Sequence, residues 1–175
     1  MISIWILAVW NFAVSAWNSY GSGQIYERSD SLWSKVVGVS GLGLGFVGMM
    51  YSFILLGIAT GYVGEQFLLA SNVILGIPII GFGIIITIES WMIAVKEGGF
   101  WNYLITIYNT VAMAWNIFAW IKSFKEVGGI GDALGEMADD GNDKVIIIVA
   151  FIGGLVLSYS LFKLGRKHAR KSMRG

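Results

Sequence analysis

The chain has no cysteine, one proline and one histidine among 175 residues. Without cysteine there is no disulfide, no thiolate metal site, no iron–sulfur ligation and no cysteine nucleophile. The single histidine, His168, lies in a basic tail, so neither a nucleophile–base dyad nor a zinc site finds support. Charge is scarce as well, at 13% of residues, and the formal net charge is only +1. No acid–base or metal constellation appears in what charge there is, so the chain does not read as an enzyme, and neither a cofactor nor a metal is expected.

What is present is apolar surface. Hydrophobic residues make up 56% of the chain and mean hydropathy is +0.71, which excludes a disordered protein and argues against a water-soluble globule. The 24 glycines follow no G-X-Y period and lie inside the apolar stretches rather than in a linker. Spanning a hydrocarbon core of about 30 Å takes roughly 20 apolar residues as a helix. Five charge-poor stretches approach or exceed that length, at about 2–20, 36–62, 67–95, 100–121 and 144–164. The expected fold is therefore all-α: a polytopic integral membrane protein with about five transmembrane helices in a domain over 1–165. Lys96-Glu97-Gly98-Gly99 reads as a helix stop. The first stretch has small residues at Ala13 to Ala16, as at a signal-peptide cleavage site. It has no basic residue before its apolar core, so it is read as a retained span.

Lys and Arg are unevenly distributed. The loop from Ser19 to Lys35, the turn at Lys96 and the tail from Lys163 hold nine of the twelve, which places the C-terminus in the cytoplasm and the N-terminus outside. The segment 123–143 then forms an acidic extracytoplasmic loop. Its Asp139-Asp140-Gly141-Asn142-Asp143 stretch does not match EF-hand spacing and reads as a solvated acidic cap. The tail 166–175 is the basic cytoplasmic end. Arg166, Lys167, Arg170 and Lys171 are expected to bind anionic lipid headgroups, with nucleic-acid contact the weaker reading.

A short pattern recurs. Trp10-Asn11, Ala16-Trp17-Asn18 and Tyr20 are matched by Tyr108-Asn109, Ala114-Trp115-Asn116 and Phe118. In the spans that follow, Gly45, Tyr51-Ser52 and Gly57 are matched by Gly153, Tyr159-Ser160 and Gly165. Spans 1–2 thus resemble spans 4–5, with a single span between them. Such a pair would be upside down relative to its copy, an inverted-topology repeat of the kind used by secondary transporters.

Asn11 and Asn18 are seven residues apart, as are Asn109 and Asn116, so each pair lies on one stripe of its helix. An asparagine amide in hydrocarbon must find partners. The stripes therefore either line a wet path or hold helices together. Glu89, the only acid within a span, is roughly 12 Å past the middle of the third span, where it could set a preference for cations or protons. Pro78 and Gly81 in the same span are the candidate hinge. Gly43-Leu44-Gly45-Phe46-Val47-Gly48 spells the G-x-G-x-x-G fingerprint but follows no strand and is set aside. Gly38, Gly41, Gly45 and Gly48 instead form a flat face for close helix packing.

Together these features suggest a small channel or transporter for an ion or small solute, built as a homo-oligomer in the lipid bilayer, with the asparagine-bearing helices lining the path. The alternative is a non-catalytic structural or accessory subunit of a membrane assembly, including a viral membrane or holin-like protein. The topology is testable by single-cysteine labelling on this cysteine-free background. Ser29→Cys, in the loop near Glu27, and Glu136→Cys, in the loop near Asp139, should label from opposite sides of the membrane. Labelling of both from the same side would overturn the inverted repeat.

Overall fold

The computed structural model describes residues 2–139 and 141–174. Among the described residues there is no strand, and six helices follow one another: α1 Ile2–Arg28, α2 Leu32–Ala59, α3 Glu65–Glu97, α4 Phe100–Val127, α5 Ile130–Asp139 and α6 Gly141–Ser172. Four of them, α2, α3, α4 and α6, are long and apolar enough to cross a membrane. The helix over the first expected span, α1, is as long as its neighbours but diluted by serine, asparagine and tryptophan, and it is not among the four.

Local chemistry sets the ends. Ser31 caps α2, its hydroxyl accepting from the Ser34 amide at 3.1 Å. The helix α3 has Glu65 in its first turn and Lys96 in its last, each favourable to the helix dipole, with Glu97 at its end opposing Lys96. It stops where Gly98 and Gly99 take φ of 64° and 89°, a region open to glycine and costly for other residues. Gly128, at φ 97°, closes α4 with its amide on the Phe124 carbonyl.

The segment read as an acidic loop over 123–143 is mostly helical. It holds the last turn of α4, all of α5 and the start of α6. The reason is an apolar stripe within the acidic stretch. Ala133 and Met137, one turn apart, are buried in one core cluster with Val63 of the α2–α3 turn and Phe67 of α3, the helix on which α5 chiefly packs. Asp140 and the tail's Gly175 lie outside the described residues.

The α1–α2 contact depends on small residues. Ser15, Ser19 and Ser22 of α1 are buried against Gly48, Gly45 and Gly41 of α2, and Tyr26 covers Gly38. A Cβ built on Gly45 would come within 2.8 Å of the Ser15 carbonyl oxygen, and one on Gly38 within 2.7 Å of the Tyr26 side chain. Glycine thus lets two helix backbones approach closely enough for dispersion to hold them in an apolar solvent. The fingerprint glycines Gly43, Gly45 and Gly48 lie in mid-helix. The helix α6 packs on both α1 and α2, and its Gly165 meets the backbone of α1 at Tyr20. The hairpin α3–α4 joins this group through α3.

The helix α3 runs unbroken through Pro78. Gly81 is exposed, with nothing near the position of a Cβ. The proposed repeat has unequal surroundings in its two copies. Ser52 is buried and Tyr51 half-buried, whereas Ser160 and Tyr159 are exposed, and α4 packs on α3 rather than on α6.

Gly45→Leu is expected to destabilise the protein by about 1–3 kcal/mol, as overpacking of a filled interface does. The readout is the thermal unfolding midpoint in detergent, with Gly81→Ala as an unchanged control. A Gly45→Leu midpoint equal to wild type would refute the close α1–α2 contact.

A candidate solute cleft between two helix pairs

The pair α1–α2 and the pair α3–α4 meet along α2 and α3 and stay apart between α1 and α4. The gap is a cleft with two limbs. The first has a volume of about 510 Å³ and is lined by α1, α2, α3 and α4. The second, about 530 Å³, lies toward the C-terminal end of α1. Trp10, Val14, Asn18, Ile86, Tyr108 and Asn109 line both, so the limbs join at that level. There Trp10 and Tyr108 meet edge to face across the gap, with ring centroids 6.3 Å apart.

All four asparagines of the repeated pattern line the first limb, but they are not alike. Asn11 is held: its amide donates to the Gly48 carbonyl at 2.6 Å and to the Ser52 hydroxyl at 2.9 Å. It therefore ties α1 to α2. Asn18, Asn109 and Asn116 are half-buried, and their side chains have no hydrogen-bond partner among the described residues. Three carboxamides, each with two donors and an acceptor, are thus presented to the cleft with their hydrogen-bonding capacity unused.

Sequence reasoning overlooked Asn72. It lines the same limb, accepts from the Tyr51 hydroxyl at 2.6 Å and donates to Ser123 at 3.2 Å, linking α2, α3 and α4. The available signal was an asparagine inside an otherwise apolar span, the same criterion that singled out the other four. Nor does sequence spacing link Trp33 to Glu89, although the Trp33 indole N–H donates to the Glu89 carboxylate at 2.6 Å.

Glu89 lines the second limb and has no Lys or Arg within 4 Å among the described residues. Its carboxylate rests on one indole donor. Apart from Asn18, Asn109, Ser22 and Ser90, the second limb is walled by apolar and aromatic residues, including Ile25, Val37 and Ile93. No group of three or more His, Cys, Asp or Glu able to hold a metal occurs among the described residues.

Of the four basic residues assigned to lipid, two are already engaged. Arg166 and Arg170 reach the Glu27 carboxylate at 2.6 and 2.5 Å, because residues four apart on α6 share one face. Lys167 and Lys171 stay exposed. Beside this clamp, the Tyr20 hydroxyl is 2.7 Å from His168 Nδ1, and Arg166 lies over the Tyr26 ring. Hydrogen bonds from Arg170 and then Arg166 hold the Glu27 carboxyl well below the ordinary range, at about 2.

No protein-family model, curated protein or solved structure matches the chain.

The depressed Glu27 pKa fixes the sign of a pH effect. The stabilisation by the clamp is fully present above the ordinary carboxyl value of 4.5 and is lost as pH falls toward about 2. Thermal midpoints of wild type and Glu27→Gln in detergent should therefore differ most at neutral pH and converge between pH 4.5 and 2. A gap that persists unchanged at pH 2 would refute the ion-pair origin.

Proposed function

We propose that the protein is a small membrane transporter or channel whose path is the cleft between α1–α2 and α3–α4. One observation carries the reading: Asn18, Asn109 and Asn116 turn unpartnered amides into a cleft inside an otherwise apolar scaffold. An amide in an apolar interior left without a partner is costly, on the order of 1–3 kcal/mol when fully buried, so a purely structural helix face would be expected to satisfy such groups, as Asn11 and Asn72 are satisfied, whereas the half-buried amides here face open space. Free amides in a cleft suit a transient occupant, water or solute, that exchanges hydrogen bonds with them.

In this reading α1 is the fifth span. It is 27 residues long, about 40 Å as a helix, and lies along α2. The acidic end, with α5, faces outside and the basic tail faces the cytoplasm. The repeat, if ancestral, has diverged in its packing while keeping the aromatic-Asn pairs on the cleft. Pro78 lies in α3, one residue before the cleft-lining Ile79, and its missing helix hydrogen bond would ease bending there. A single chain has its own cleft, so the path does not depend on a ring of subunits, and homo-oligomer formation becomes a separate matter. Lys167 and Lys171 remain the tail residues free to meet headgroups.

Flux into liposomes containing purified protein tests the path, with a panel of monovalent cations and small neutral solutes. Asn109→Leu and Asn116→Leu should cut flux by about tenfold each, the equivalent of one lost hydrogen bond at about 1.4 kcal/mol, without changing the unfolding midpoint. Asn11→Leu should instead lower the midpoint. Absence of flux from well-folded wild type would favour the structural-subunit reading, and unaltered flux in both leucine variants would remove the amides from the path.

A further inference from the structure

The second limb of the cleft differs from the first in one respect: it contains a carboxylate with no counter-charge. Glu89 bonds to the Trp33 indole N–H and to no cation among the described residues. Around it the walls are aliphatic and aromatic: Val14, Ile25, Val37, Ile93, Ile105 and, at the junction, Trp10 and Tyr108.

These walls discriminate between classes of cation. A small inorganic ion must keep its hydration shell or replace it with several oxygen ligands. The limb offers one carboxylate and no cluster able to hold a metal. An organic cation needs only one counter-charge. Its own apolar body is desolvated by the aliphatic walls, and the faces of Trp10, Trp17 and Tyr108 add attraction to a diffuse positive charge. The volume of about 530 Å³ falls within the common range for sites that hold molecules of drug size, about 300–1,000 Å³. A neutral solute would leave the carboxylate without a counter-charge.

The way in is lateral. The helices α1 and α4 face each other without a packed seam, and their bridge is the Trp10–Tyr108 edge contact. Trp17 and Trp115, one on each helix, are exposed on the same two helices. In a membrane a gap of this kind would face the hydrocarbon, which amphiphilic cations reach from the headgroup region where they concentrate.

We infer that the second limb binds an amphiphilic organic cation, such as a quaternary phosphonium or ammonium, paired to Glu89 and admitted from the bilayer between Trp10 and Tyr108. This rests on the cleft being a solute path and names the class of solute.

Binding of tetraphenylphosphonium to the full chain in phosphatidylcholine nanodiscs, followed by calorimetry, tests it without requiring transport. Wild type should bind saturably, one per chain. Glu89→Gln, which keeps an acceptor for the Trp33 indole, should weaken binding by about tenfold or more, as loss of a desolvated charge pair does. Glu97→Gln, outside the cleft, should bind like wild type. If Glu89→Gln fails to fold, Ile93→Trp fills the limb while keeping the carboxylate and should likewise weaken binding. Cross-linking Trp10→Cys to Tyr108→Cys with a short bismaleimide, clean in a cysteine-free chain, should abolish the association that the same double variant shows before cross-linking. No saturable binding, or wild-type affinity in folded Glu89→Gln or Ile93→Trp, overturns the site. Undiminished association after complete cross-linking overturns the lateral route. Flux of a neutral solute without phosphonium binding would defeat this inference and leave the path standing. Phosphonium binding without any flux would support the site and defeat the path.

Discussion

The arrangement depends on how closely α1 can approach α2. Where serine meets glycine at three successive levels, only a serine side chain separates the two backbones, and the helices lock along one narrow face. In a medium as apolar as the side chains themselves, such contact does what the hydrophobic effect does in water. Once α1 is committed to α2 and α6, it does not also close on α4. The cleft is the geometric remainder of that commitment, and the groups left facing it are those the tight face did not use.

The same logic sorts the polar residues. A membrane interior has no bulk water to satisfy an amide, so each asparagine either finds a protein partner or faces a space that something else fills. Asn11 and Asn72 belong to the first kind and fasten helices together. Asn18, Asn109 and Asn116 belong to the second. Hydroxyls mostly bond within their own helix: Thr87 to Gly83, Thr110 to Thr106 and Ser19 to Ser15, each four residues back. Thr106 does so and also reaches across to the Ser90 carbonyl, fixing α3 to α4. Serine and threonine content therefore says little about a path here, whereas asparagine content says more.

Much of the helical layout was legible because it follows from long apolar runs punctuated by glycine and charge. The glycine face on α2 could be read from its spacing of three and four. Its partner could not: Ser15, Ser19 and Ser22 are polar in composition and act as small residues in packing. The helix over 130–139 was missed because two buried side chains, Ala133 and Met137, are a weak signal amid aspartate and glutamate. Sequence spacing put each asparagine pair on one stripe of its helix, and all four line the first limb, but it had no means of separating Asn11 from the rest, since that distinction depends on which carbonyl lies opposite. The clamp at Glu27 joins residues 139 and 143 positions apart, beyond the reach of any local pattern.

That separation bears on how the molecule is made. Glu27 is synthesised early, and its two arginine partners lie at the end of the last helix. During synthesis Glu27 therefore lacks these two partners until the end of α6 has been translated. Truncated products lacking the end of α6 would retain that bare charge, together with a Gly23 surface that α6 normally covers. Loss of the end of α6 would therefore expose a charge and a glycine face on α1 at once.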